Sequence, residues 1–172
     1  MYCLLAAMLV AGLGQGSGTQ EIACPGIYGG HLQGIATDVD WNIYWSFTVA
    51  LVKTNRAGEL LRTVPAPSHQ GDLTWVDGKV YVAVNLGKFN QEPGQADSWV
   101  YVYDARDLTL LEKRAVPELV HGAGGMAFHD GKFIVVGGLP EGYTENYAYE
   151  YDRNLDFVQR HVINSGYTKM GI

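Results

Sequence analysis

The sequence predicts an all-β chain built from a repeated four-strand unit, and three observations carry that prediction. Apolar residues come in short runs bounded by Gly, Asp and Asn rather than in a sustained 3.6-residue stripe, which excludes a βαβ arrangement. Asp77-Gly78 and Asp130-Gly131 are hairpin signals, since a two-residue primed turn needs positive φ and Gly supplies it without steric cost. Three segments also superpose on one another by their Gly and Asp positions.

The first copy reads His31-Leu32-Gln33-Gly34-Ile35-Ala36-Thr37, then Asp40-Trp41-Asn42-Ile43-Tyr44. The second reads Ser68-His69-Gln70-Gly71-Asp72-Leu73-Thr74, then Asp77-Gly78-Lys79-Val80-Tyr81. The third reads His121-Gly122-Ala123-Gly124-Gly125-Met126-Ala127, then Asp130-Gly131-Lys132-Phe133-Ile134. A fourth begins at Thr168-Lys169-Met170-Gly171-Ile172. Third strands follow at Ser98 to Tyr103 and Asn146 to Tyr151, where β-branched and aromatic residues gather. Each precedes an Asp, Asp104 or Asp152, whose side chain can close an Asx turn. The fourth strands are predicted at Glu59 to Val64, Leu108 to Arg114 and Leu155 to Val162.

Four strands recurring every ~40 to 50 residues mark a β-propeller blade, with a sandwich or open barrel as the structural alternative. The chain thus divides into a predicted signal peptide (1–20), a linker (21–30) and a partial β-propeller domain (31–172). Its blades cover about 31–67, 68–120 and 121–164, followed by the first strand of a fourth. Trp45, Trp75, Trp99, Phe128 and Tyr149 are expected to pack between blades.

Composition bounds the partners. The 172 residues are 47% hydrophobic and 17% charged, as a packed domain requires. A net charge of -6 gives no footprint for nucleic acid or anionic lipid. Residues 1–13 form an apolar run of signal-peptide length without a basic leader, followed by a Gly/Ser/Gln/Thr stretch, so the expected location is extracellular or periplasmic. Past that run nothing approaches the ~18 apolar residues of a membrane span. Cys3 and Cys24 both lie ahead of the repeats and cannot staple them.

Gly34-Ile35-Ala36-x-Asp38, followed by Asn42-Ile43-Tyr44, resembles the blade motif of NHL-repeat and gluconolactonase-like propellers. The likeness spans roughly residues 30 to 172, and such rings normally hold about six blades, so it implies a longer propeller than this chain supplies. Trp41 stands where those families have Gly, and the first turn is expected to place Asn42 at positive φ instead. The gluconolactonase likeness further implies a divalent cation such as Ca²⁺ at the channel mouth. Asp72 and Asn85 are the residues of suitable type for it.

In a propeller the segments leading into each inner strand and the loops between second and third strands share one face. That rule places His31, His69, Asp72, Asn85 and His121 around one mouth, with Tyr143 in a projecting loop, as candidate ligand-binding residues. His31 and His121 hold equivalent repeat positions and are expected to face one channel. Asp38-Val39-Asp40-Trp41-Asn42 imitates the start of an EF-hand, but Ile43 and Val49 occupy the positions of its Gly and Glu. The Gly12 to Gly18 run follows no predicted strand and is no dinucleotide fingerprint. Nucleophile-elbow, zinc-helix and Cys-x-x-Cys motifs are all missing. The expected function is binding of a small molecule or protein through the loop-rich face, the alternative being a metal-dependent lactonase-like hydrolase.

Overall fold

The computed structural model describes residues 21–67 and 69–163. The predicted signal peptide, Ser68 and the predicted fourth-copy strand at Thr168 to Ile172 lie outside the described residues. The described residues form three four-stranded antiparallel sheets with no helix, each sheet holding consecutive strands in chain order. Blade 1 comprises β1 (Leu32–Thr37), β2 (Ile43–Phe47), β3 (Ala50–Thr54) and β4 (Leu60–Pro65). Blade 2 comprises β5 (Gln70–Val76), β6 (Lys79–Asn85), β7 (Ser98–Asp104) and β8 (Leu110–Ala115). Blade 3 comprises β9 (Ala123–His129), β10 (Lys132–Gly137), β11 (Asn146–Tyr151) and β12 (Phe157–Ile163). These are propeller-like blades, with β1, β5 and β9 packed side by side as inner strands.

The β5–β6 and β9–β10 hairpins turn as their sequences predict, with φ of 47° and 79° at Asp77 and Gly78 and of 48° and 79° at Asp130 and Gly131. Blade 1 turns differently from the expectation. Trp41, not Asn42, takes the left-handed backbone, at φ 62°. The cause is Asp38, whose Oδ1 accepts the amides of Asp40 at 3.0 Å and Asn42 at 2.8 Å and so fixes a longer loop with its left-handed residue one place earlier. Asn55 builds the same frame by accepting from Ala57 and Glu59, with Gly58 left-handed. Asp152 repeats it with Asn154, Asp156 and a left-handed Leu155. Asp104 also closes an Asx turn, accepting from Arg106.

This loop form explains why the outer strands start one or two residues later than the pattern suggests. Leu108 and Leu155 adopt φ near 60° and drop into the core at 2% and 5% exposure, so they end turns instead of beginning strands.

Between blades 1 and 2, Tyr44 and Leu51 pack on Val80, Val82, Tyr101 and Tyr103, with Trp75 and Trp99 against them. Between blades 2 and 3, Val100 and Val102 pack on Phe133, Val135, Tyr149 and Tyr151, with Phe128 against them. Trp45 instead lies on the other face of blade 1, with Ile43 and Val52, where Ile22, Cys24 and Tyr28 cover it. Cys24 is a half-buried free cysteine, and burial pushes its thiol up.

Polar clips reinforce the blade contacts. Lys53, 8% exposed, donates from Nζ to the carbonyl of Ala105 at 2.8 Å, and Arg114 of β8 pairs with Asp156 in the next blade. The phenol of Tyr44 lies 2.8 Å from Asp38 Oδ2 and 3.0 Å from the Ala105 carbonyl. Burial, reinforced by the Asp38 hydrogen bond, holds that phenol far above its usual range. Burial also acts upward on the Asp38 carboxyl, but the bonds from Asn42 and Tyr44 outweigh it and leave it low.

A loop-built mouth with an imidazole and aromatic lining

Strand order fixes which end of the blades carries loops. With each sheet antiparallel and sequential, the segments leading into β1, β5 and β9 share an end with the β2–β3, β6–β7 and β10–β11 connections. Two of these connections are long, covering 86–97 and 138–145.

Asn85 anchors the first. It is 1% exposed; its Oδ1 accepts the Asp97 amide at 2.9 Å and its Nδ2 donates to the Gly87 carbonyl at 3.2 Å, clamping both ends of the loop. Backbone bonds from Leu86 to Asp97 and from Lys88 to Gln95 continue the closure. Asn90, at φ 57°, then ties this loop to its neighbours: its amide donates to the His121 carbonyl at 3.1 Å and its Oδ1 accepts from the Leu139 amide at 2.9 Å. Tyr143 in the second loop donates its hydroxyl to Glu92 in the first, a bond that raises the phenol's pKa.

Phe89 lies on a floor of glycine. A Cβ at Gly122 or Gly124 would come within 3.0 Å of its ring, so only hydrogens at both positions let the loop settle there. His69 stacks parallel to Phe89, with ring centroids 6.4 Å apart and an interplanar angle of 1°.

The six candidate residues therefore have distinct environments. His31 and His69 are exposed, and their rings meet edge-on at 6.2 Å. His121 is only 3% exposed; its Nδ1 bonds to the Gln91 carbonyl at 2.9 Å, and its ring packs on Tyr143 and Tyr147. The expectation that His31 and His121 are equivalent is thus corrected: the partner of His31 is His69, and the 86–97 loop of blade 2 folds over His121. Asp72 is half-buried beside Gly34 of β1. Burial pushes its carboxyl up, against the lowering effect of the Leu73 and Met126 amides.

Among the described residues no three His, Cys, Asp or Glu side chains gather as a metal site. Asp72 is engaged by amides of β5 and β9, and Asn85 by the ends of its own loop. Phe89, Gln33, Thr48 and Tyr147 belong to this face and were not singled out by sequence. The one available signal was Phe89, the single aromatic residue of loop 86–97.

No family model matches the chain, and no curated protein does. Comparison with solved structures gives distant alignments. A chain described as a eukaryotic initiation factor aligns with a TM-score of 0.50 and 9% identity, over 82% of this chain and 33% of that one. A protein of unknown function from Bacteroides caccae aligns at 0.42 and 14%, over 83% of this chain and 64% of that one. The computationally designed Ika4 protein aligns at 0.40 and 12%, over 85% and 99%. This chain spans about a third of the length of the initiation-factor chain.

Proposed function

We propose that this chain is an exported propeller-type binding domain of the NHL-repeat or gluconolactonase-like kind, taking a small-molecule or protein ligand on the face built by loops 86–97 and 138–145. The observation that carries the reading is the fastening of those two loops to each other through Asn90 and Tyr143, beside the exposed rings of His31 and His69. Loops held in one shape lose little entropy when a ligand arrives, and a rigid aromatic beside polar imidazoles supplies both contact area and orientation. Export rests on the apolar stretch of residues 1–13.

The test is a thermal-shift screen of the purified chain against small molecules and candidate protein ligands, repeated with Phe89→Ala and His69→Ala. A ligand that stabilises the wild type and loses its effect in both variants is the expected result. Turnover of a lactone or ester by the same preparation would overturn the reading in favour of a hydrolase. N-terminal sequencing of protein recovered outside the cell checks the export step.

A further inference from the structure

The His31 and His69 imidazoles come from different blades, yet the same turn fixes both. The amide of His31 donates to Thr48 Oγ1 at 3.2 Å, and the Thr48 amide returns a bond to the His31 carbonyl at 3.2 Å. The Thr48 carbonyl also accepts from the Gln70 amide at 3.3 Å, which holds the residue following His69. His69 itself exchanges two backbone bonds with Asn85, at 3.2 and 3.1 Å. Two exposed rings are therefore carried on pinned backbone, which fixes the points from which both side chains project.

The other three histidines have different partners: Gln91 for His121, Asp130 for His129 and Glu150 for His161. Neither His31 nor His69 forms an ion pair among the described residues. Gln33 Nε2 lies 3.1 Å from His69 Nε2, so a half-turn of that amide would present its oxygen to the same space. Two imidazoles sharing one ion at metal–nitrogen distances of ~2.0 to 2.1 Å hold their ring centres roughly 5 to 6 Å apart. The observed 6.2 Å lies just outside that range, so holding one ion requires the two side chains to rotate toward each other.

We propose that His31 and His69, with the Gln33 amide oxygen as a third donor, bind one borderline divalent transition ion of the Zn²⁺ or Ni²⁺ type at the mouth. Nitrogen donors select such ions over Ca²⁺, and a set of three leaves a position open for a ligand atom. The proposal rests on the reading of this face as the binding face only for its location.

Calorimetric titration of the metal-free chain with Zn²⁺ alone, in a Cys3→Ser/Cys24→Ser background, tests it without a thiol supplying the site. The expected result is one ion per chain, with affinity falling at least about tenfold in His31→Ala and in His69→Ala. Metal-free thermal unfolding should be unchanged in both variants because both rings are exposed. Absence of Zn²⁺ binding below millimolar concentration, unchanged affinity in either variant, or equal competition by Ca²⁺ would overturn the proposal. Zn²⁺ bound through His31 and His69 with no organic or protein ligand found would sink the binding-domain reading and leave this one standing. A ligand bound without Zn²⁺ uptake would do the reverse.

Discussion

Gly71 of β5 and Gly124 of β9 meet where the inner strands of blades 2 and 3 converge: a Cβ on Gly71 would come within 3.0 Å of the Gly124 carbonyl oxygen. The contact is backbone against side-chain position, so no rotamer change can relieve it.

Gly71→Ala should therefore cost about 1 to 3 kcal/mol, by forcing two packed strands apart. Gly78→Ala provides the contrast, because nothing lies within 4 Å of its added Cβ and the backbone φ of 79° is the only objection. It should cost about 1 to 2 kcal/mol, with no change in blade packing. Urea unfolding gives the two costs. Near-ultraviolet circular dichroism separates their causes, since only Gly71→Ala should disturb the aromatic signal.

Trp41 holds a left-handed backbone while its side chain is 66% exposed. Trp41→Gly removes the conformational penalty of about 1 to 2 kcal/mol and adds about 0.5 to 1 kcal/mol of unfolded-state entropy, so it should be neutral or slightly stabilising. A loss of several kcal/mol on chemical denaturation would mean that the indole packs against the fold.

Glu150 accepts from Lys132, from Gln159 Nε2 at 3.1 Å and from His161 Nε2 at 3.0 Å, and these bonds, led by that of Lys132, hold its carboxyl down at about 2. The folded value lies below the unfolded one of about 4.3, so the folded state binds fewer protons across this window. Its contribution is complete above the unfolded value and is lost as pH falls toward 2. Melting temperature followed from pH ~6 to pH ~2 should fall more steeply in the wild type than in Glu150→Gln. Parallel curves would remove Glu150 from the acid response.

His121→Ala leaves the Gln91 carbonyl without its ring partner and opens space beneath Tyr143, so it should cost about 1 to 3 kcal/mol. Tyr143→Phe removes only the bond to Glu92 and should leave global stability within about 0.5 kcal/mol. Amide hydrogen exchange in 86–97 and 138–145 should accelerate in both variants. Unchanged exchange in Tyr143→Phe would show that the bond to Glu92 does not hold the loops.

Spacing alone located the three blades, because hairpin chemistry is local: Asp77-Gly78 and Asp130-Gly131 turn by their own backbone preferences wherever they sit. The strand Asn146–Tyr151 and the Asx turn at Asp152 were legible for the same reason. Which loop residue carries positive φ was less so, since Asp38 shifts it to Trp41 through bonds that depend on loop length as well as residue type. The partners of the histidines were not legible at all. His31 and His121 have matching repeat positions, and only the fold lays the 86–97 loop over one and leaves the other against His69. Repeat position fixes where a backbone lies, whereas burial of a side chain depends on which distant loop crosses above it, and no local sequence term encodes that crossing.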